Sequence, residues 1–204
     1  MTKKNIILVG LTGSIGMGKT TTAKMFQDAG AAIFDADAAV HKLYAKGGAA
    51  VPILRAVFPD IIKDDAIVRA RLAKHLQKDP LQFKVLESFI HPLVGEMRSK
   101  AIAQAIVDQK QIMIFDVPLL FETRGDARVD KTVVVSANAK MQRERVLARD
   151  GMSVEKFKLI LSRQMPDAEK RKRADFIVYT DKGMESAKAD VQSIMKALLA
   201  QQEH

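Results

Sequence analysis

The sequence predicts an α/β fold in which a parallel sheet is flanked by helices. Two observations carry that expectation. Short apolar runs bounded by polar or loop residues alternate with longer helical patterns, as buried parallel strands and their crossover helices do. One strand-to-helix junction, residues 13 to 20, reads "GSIGMGKT", a glycine-rich turn that ends in a cation and a hydroxyl.

The first strand is "NIILVGL" (5 to 11), followed by a helix from Thr20 to Ala29 and a short strand in "AAIFDA" (31 to 36). "QIMIFDV" (111 to 117) and the β-branched "KTVVVSA" (131 to 137) are further buried strands. Helical patterns run over 139 to 149 and 154 to 164, then "DFIVYT" (175 to 180) closes the strand set and a helix covers 184 to 200. The stretch between "AAIFDA" and "QIMIFDV" is too long for a simple crossover. It predicts an inserted, predominantly helical subdomain over about 37 to 109, with the core made of 1 to 36 and 110 to 204.

Composition bounds the class. At 204 residues, 48% apolar and 28% charged, the chain buries one core with an elaboration. It has no cysteine, which excludes disulfides and thiolate zinc sites. "MTKKNIILVGL" leads directly into the glycine turn with no small-residue cleavage site, so it reads as a strand rather than a leader. No apolar run approaches the roughly 20 residues that span a bilayer, and a cytoplasmic location is expected. The net charge is +9, and between Lys140 and Arg173 eleven bases face five acids, so this one segment carries +6. Local positive charge of that size suits phosphorylated partners.

Gly13, Gly18, Lys19 and Thr20 complete the pattern G-x-x-x-x-G-K-S/T between a strand and a helix, the context a phosphate-binding P-loop requires. Its backbone N–H groups and the helix N-terminus cradle phosphates, Lys19 meets the outer ones, and the Thr20 hydroxyl is placed to ligate Mg²⁺. A guanine-selective N-K-x-D is absent, since the asparagines are Asn5 and Asn138. The strand "IMIFD" ends in Asp116, but Val117 follows where a hydrolytic ATPase often has glutamate. In "FDAD", Asp35 and Asp37 emerge at the carboxyl edge of the sheet, where open α/β sheets bind ligands. Either of this pair also suits a helix N-cap. Together these features favour a kinase acting on a hydroxyl.

The segments "GLTGSIGMGKTTTAKMF", "DADAAVHKLY", "IHPLV", "DVPLLFE", "ARDGMS" and "RQMPDAEKRKRADFIV", in that order, resemble the dephospho-coenzyme A kinase family. The resemblance implies a P-loop kinase fold with a helical substrate insertion and a mobile lid, here about 140 to 173. It implies Mg²⁺-dependent transfer of the ATP γ-phosphoryl group to the 3′-hydroxyl of 3′-dephospho-CoA, the last step of coenzyme A synthesis. By the same resemblance Gly13, Ser14, Ile15, Gly16, Met17, Gly18, Lys19, Thr20 and Thr21 hold ATP, joined by Arg149 and Arg145 from the lid. Asp37 is similar to the family's proposed base, with Thr12 and Asp35 beside the acceptor. His91 and Arg69 are implied to contact the acceptor, Leu119, Leu120 and Phe121 to wall its nucleoside, and Thr20 and Asp116 to hold the metal. Glu122 is expected to fix a neighbour.

From the residues alone, "HP" at 91 and 92 also reads as a helix start with Pro at its first position. Lys170 to Arg173 read as a solvated basic run. Ser14 and Met17 stand where the family has glycine and a small residue, Met17 being expected over the phosphate site, and Thr180 stands where an asparagine is expected near the adenine. Two other readings remain open: a different small-molecule kinase, and a nucleic-acid-binding P-loop protein. The latter is disfavoured because only 5% of residues are aromatic, which leaves few stacking platforms. No nucleic-acid or membrane partner is expected, and a monomer is.

Overall fold

The computed structural model describes residues 6 to 79 and 81 to 200. Its chain order is β1 (Ile7–Thr12), α1 (Lys19–Asp28), β2 (Ala32–Asp35), α2 (Ala36–Tyr44), α3 (Ala50–Val57), β3 (Ile62–Lys63), β4 (Ala66–Ile67), α4 (Arg69–Lys78) and α5 (Gln82–Val107). There follow β5 (Ile112–Asp116), β6 (Lys131–Ser136), α6 (Ala139–Leu147), α7 (Val154–Ser162), α8 (Asp167–Arg173), β7 (Phe176–Tyr179) and α9 (Met184–Ala200). The chain divides into two compact units, one running to Phe34 and resuming at Gln104, the other spanning Asp35–Ala103.

The first unit is built on a five-stranded sheet of order β2-β5-β1-β6-β7. β1 pairs in parallel with β5 and β6, and β6 with β7. Every residue of β5 is buried, which is why it reads as an unbroken apolar run: both faces of a parallel sheet are covered. Val9, Leu11, Ile114, Val133, Val135 and Val178 pack with Phe26 of α1 and with Val191, Ile194 and Leu198 of α9. The register sets Leu11 opposite Asp116, so the last carboxylate of β5 stands beside the end of β1. Gly10 in β1 leaves room for the Leu120 side chain, whose Cδ2 would lie 2.6 Å from a Cβ there and would have to shift.

The second unit has its own core of Leu43, Val51, Leu54, Phe58, Ile61, Ile67, Leu72, Leu86 and Ile90. It is predominantly helical, with one element that the sequence analysis does not name: β3 and β4 form an antiparallel hairpin. Asp64 and Asp65 at its tip both have positive φ, 51° and 59°, the backbone a two-residue type I′ turn demands. Aspartate tolerates that region without glycine, so the turn carries little sequence signal. Pro92 is another departure, lying well inside the 26-residue α5 rather than at a helix start. There it removes the N–H that would bond Ser88 C=O, and the neighbouring turns keep the helix running.

The basic run at the end of the predicted lid is also helical, and α8 does not lie free in solvent. Lys170 is fully buried, which corrects its reading as a solvated residue. Among the described residues no helix is long and apolar enough to cross a membrane.

Candidate functional site

The turn between β1 and α1 is shaped by its glycines. Gly16 and Gly18 take φ of 80° and 92°, which L side chains rarely adopt, and a Cβ on Gly13 would lie 2.6 Å from Val135 C=O. Ser14 has no such positive φ, so the serine at this position costs the loop nothing in backbone strain. Helix α1 then starts from Gly18 with no side-chain cap and no acidic residue in its first turn. Its free N–H groups, its positive dipole end and Lys19 all converge where an anion would satisfy them.

This loop floors a cavity of about 360 Å³ lined by Gly13 through Thr21, Pro118, Arg149, Ile160 and Gln164. Lys19 Nζ is paired with Asp116 Oδ1, so the loop cation lies at the end of β5. Asp116 is buried, and Thr20 is exposed on the first turn of α1. A hydroxyl and a carboxylate are hard oxygen donors, the type that suits a divalent cation which otherwise keeps water or phosphate oxygens in its shell.

Side chains from α6 and from the turn after α7 hold the loop's backbone. Gln142 Nε2 donates to Ile15 C=O at 2.8 Å, and Ile15 N–H donates to Gln164 Oε1 at 3.0 Å. Thr180 Oγ1 donates to Met17 C=O at 2.7 Å and accepts from Arg145 Nη1 at 2.8 Å, while Arg145 Nη2 donates to Thr180 C=O at 2.9 Å. Arg145, Thr180, Gly18, Thr21, Met25 and Met141 also line a second, largely apolar cavity of about 200 Å³. Met17 lines the phosphate cavity and also reaches the core. Its side chain is buried in the core and its Sδ accepts from Ala137 N–H at 3.1 Å.

A buried polar tie underlies the wall of the cavity. Thr12 is fully buried, with Oγ1 donating to Pro118 C=O at 3.0 Å. Lys170 Nζ donates to the same carbonyl at 3.3 Å and is paired with Glu122 Oε1 at 2.9 Å, which also accepts Met165 N–H at 2.7 Å. Burial pushes the Glu122 carboxyl up, but the bonds from Lys170 and Met165 outweigh it and the net shift is downward. Of the three residues read as a nucleoside wall, Leu119 is 39% exposed while Leu120 and Phe121 are core.

The remaining candidates lie in the second unit. Asp35 Oδ1 accepts from Ala38 N–H at 2.9 Å and so caps α2. Asp37, exposed in the first turn of that helix, has no such bond. His91 is 68% exposed on α5, with Glu87 Oε1 3.9 Å away. Arg69 lies over the Tyr44 ring at 6.0 Å, and no hydrogen bond or ion pair joins it to His91. Gln142, Gln164, Thr180 and Pro118 were not legible as a group, since their relation is one of distance in space and no spacing announces it.

The model of the dephospho-CoA kinase family matches residues 7 to 186. The chain belongs to the dephospho-CoA kinase family. A relative so named from Agrobacterium fabrum is 49% identical over 193 residues, covering 95% of this chain and 98% of its own. Among solved structures, a protein from Thermus thermophilus matches with a TM-score of 0.81 at 30% identity, over 97% of this chain and 98% of that one. A dephospho-CoA kinase from Campylobacter jejuni matches with a TM-score of 0.68 at 23% identity, over 93% and 95% of the two chains, a likeness of fold. The fold class expected from the sequence, a P-loop kinase with a sheet flanked by helices, is the one found.

Proposed function

We propose that this chain transfers the γ-phosphoryl group of ATP to the 3′-hydroxyl of 3′-dephospho-CoA, giving ADP and CoA, the last step of coenzyme A synthesis. The observation that carries the reading is the cavity floored by Gly13 to Thr21 and walled by Arg149, in a chain that matches the family from residue 7 to 186. Loop N–H groups and Lys19 take the phosphates. The apolar cavity beside Gly18 and Thr21 takes the adenine, with Met25 and Met141 against the base and Arg145 held in place by Thr180.

Thr20 and Asp116 would hold Mg²⁺, which neutralises phosphate charge when bound. Asp37 accepts the proton of the 3′-hydroxyl as its oxygen attacks the γ-phosphorus and the bond to the ADP oxygen breaks. Asp35 keeps α2 capped, so that Asp37 stays on an ordered first turn. His91, Arg69 and Leu119 contact the acceptor, and Leu120, Phe121 and Thr12 support it from the core. Positioning and charge account for most of the rate in such a transfer. The segment from 140 to 173 acts as the lid, keeping Arg149 over the phosphates and excluding water. The working form is a cytoplasmic monomer.

The test is to incubate the full-length protein with ATP, Mg²⁺ and 3′-dephospho-CoA and to follow products by mass. CoA and ADP in equal amounts are expected. Phosphorylation of adenosine or a simple nucleotide in place of dephospho-CoA would overturn the acceptor assignment.

A further inference from the structure

The carboxamide of Gln164 is oriented by a partner that leaves half of it available. Its oxygen accepts from Ile15 N–H at 3.0 Å, and only an acceptor can face an N–H, so the two ends of the amide are chemically distinguished. The Nε2 donors then lie on the other branch, and no protein acceptor meets them among the described residues. Gln164 lines the same cavity as Gly16, Lys19 and Arg149. Its backbone is fixed as well, since Gln164 N–H bonds Leu161 C=O at 3.1 Å at the end of α7. With Gln142 on the Ile15 carbonyl, the loop residue that orients Gln164 is itself held.

Direction along the loop identifies what this donor meets. The apolar cavity borders Gly18 and Thr21, at the helix end of the loop. Gln164 bonds Ile15, at the strand end, on the side where Pro118 lines the phosphate cavity. A nucleotide with its base in the apolar cavity runs its phosphate chain from the first end toward the second. We propose that Gln164 Nε2 donates to the terminal phosphate of bound ATP, an uncharged contact that favours the triphosphate over the diphosphate. This rests on the ATP-dependent reading above, but it needs no acceptor to be tested.

Gln164→Glu keeps an oxygen acceptor for Ile15 N–H and the size of the side chain, and puts an anion in place of the donor. Gln164→Ala removes both. The experiment is calorimetric titration of the full-length wild type and both variants with ADP and with a non-hydrolysable ATP analogue, each with Mg²⁺, alongside thermal unfolding. Gln164→Ala should bind the analogue about tenfold more weakly, the worth of a hydrogen bond to a charged group. Gln164→Glu should lose more than that and melt with the wild type, while ADP binding changes less than about threefold in either variant. Equal losses for ADP and the analogue, or analogue binding by Gln164→Glu within about twofold of wild type, would overturn the proposal and leave Gln164 as a brace of the loop. A wild type that binds the analogue yet makes no CoA would instead count against the acceptor assignment.

Discussion

Lys170 Nζ stands 2.9 Å from Glu122 Oε1, with the lysine side chain wholly removed from solvent. Through Pro118 C=O and Met165 N–H the pair ties the loop after β5 to the segment that leads into α8. Removing one partner of a buried pair strands the other. Glu122→Gln should therefore cost about 3–5 kcal/mol, and adding Lys170→Met should recover most of it. Urea unfolding of the wild type, the single variant and the double variant measures both effects; a single variant as stable as the wild type would refute the tie.

The same carboxyl makes stability depend on pH. Its folded pKa lies below its unfolded one, because the bonds from Lys170 and Met165 outweigh burial. That contribution is fully present above the ordinary glutamate value of about 4.3 and is lost as pH falls through the folded pKa. Between pH 7 and pH 3 the urea midpoint of the double variant Glu122→Gln with Lys170→Met should fall less steeply than that of the wild type. Parallel curves would contradict this.

Asp35 and Asp37 are separable by substitution. Asparagine caps a helix as well as aspartate, so Asp35→Asn should keep both stability and turnover, while Asp35→Ala loses about 1 kcal/mol. Asp37→Asn should lower kcat by about 10²–10⁴-fold with ATP binding nearly unchanged, as loss of a general base does. Steady-state kinetics and nucleotide titration on the three variants decide it. Near-normal turnover in Asp37→Asn would remove the base assignment.

Gly16 and Gly30 both have positive φ, but only Gly16 is crowded: a Cβ there would lie 2.5 Å from Val146 Cγ2 and 3.0 Å from Gln142 C=O. Gly30→Ala should cost about 1–2 kcal/mol in backbone strain and leave activity intact. Gly16→Ala should add about 1–3 kcal/mol of overpacking and abolish nucleotide binding. Thermal melts with and without ATP separate the two, and equal effects would deny Gly16 its packing role.

The strands were legible because both faces of the sheet are covered, so each reads as an apolar run. The phosphate loop was legible because its chemistry is local: the glycines, the lysine and the hydroxyl sit within eight residues. The hairpin at Asp64 and Asp65 was not, since its turn uses aspartates where glycine or asparagine would have marked it. Lys170 was misread because three of its neighbours in the run are exposed or half-exposed bases, and charge runs are solvated as a rule.

By itself the sequence determined the fold class, the phosphate loop and the family, because each is encoded in consecutive residues or in periods of a few. Only the tertiary structure decided which of the two aspartates caps α2, that Lys170 is buried against Glu122, and that Gln142, Gln164 and Thr180 hold the loop. Those relations join residues as much as 163 positions apart, as Thr180 and Met17 are. The cap is local, three residues long, but the ties on the loop exist only once β1, β6 and β7 are packed side by side and α6 and the turn after α7 meet the loop.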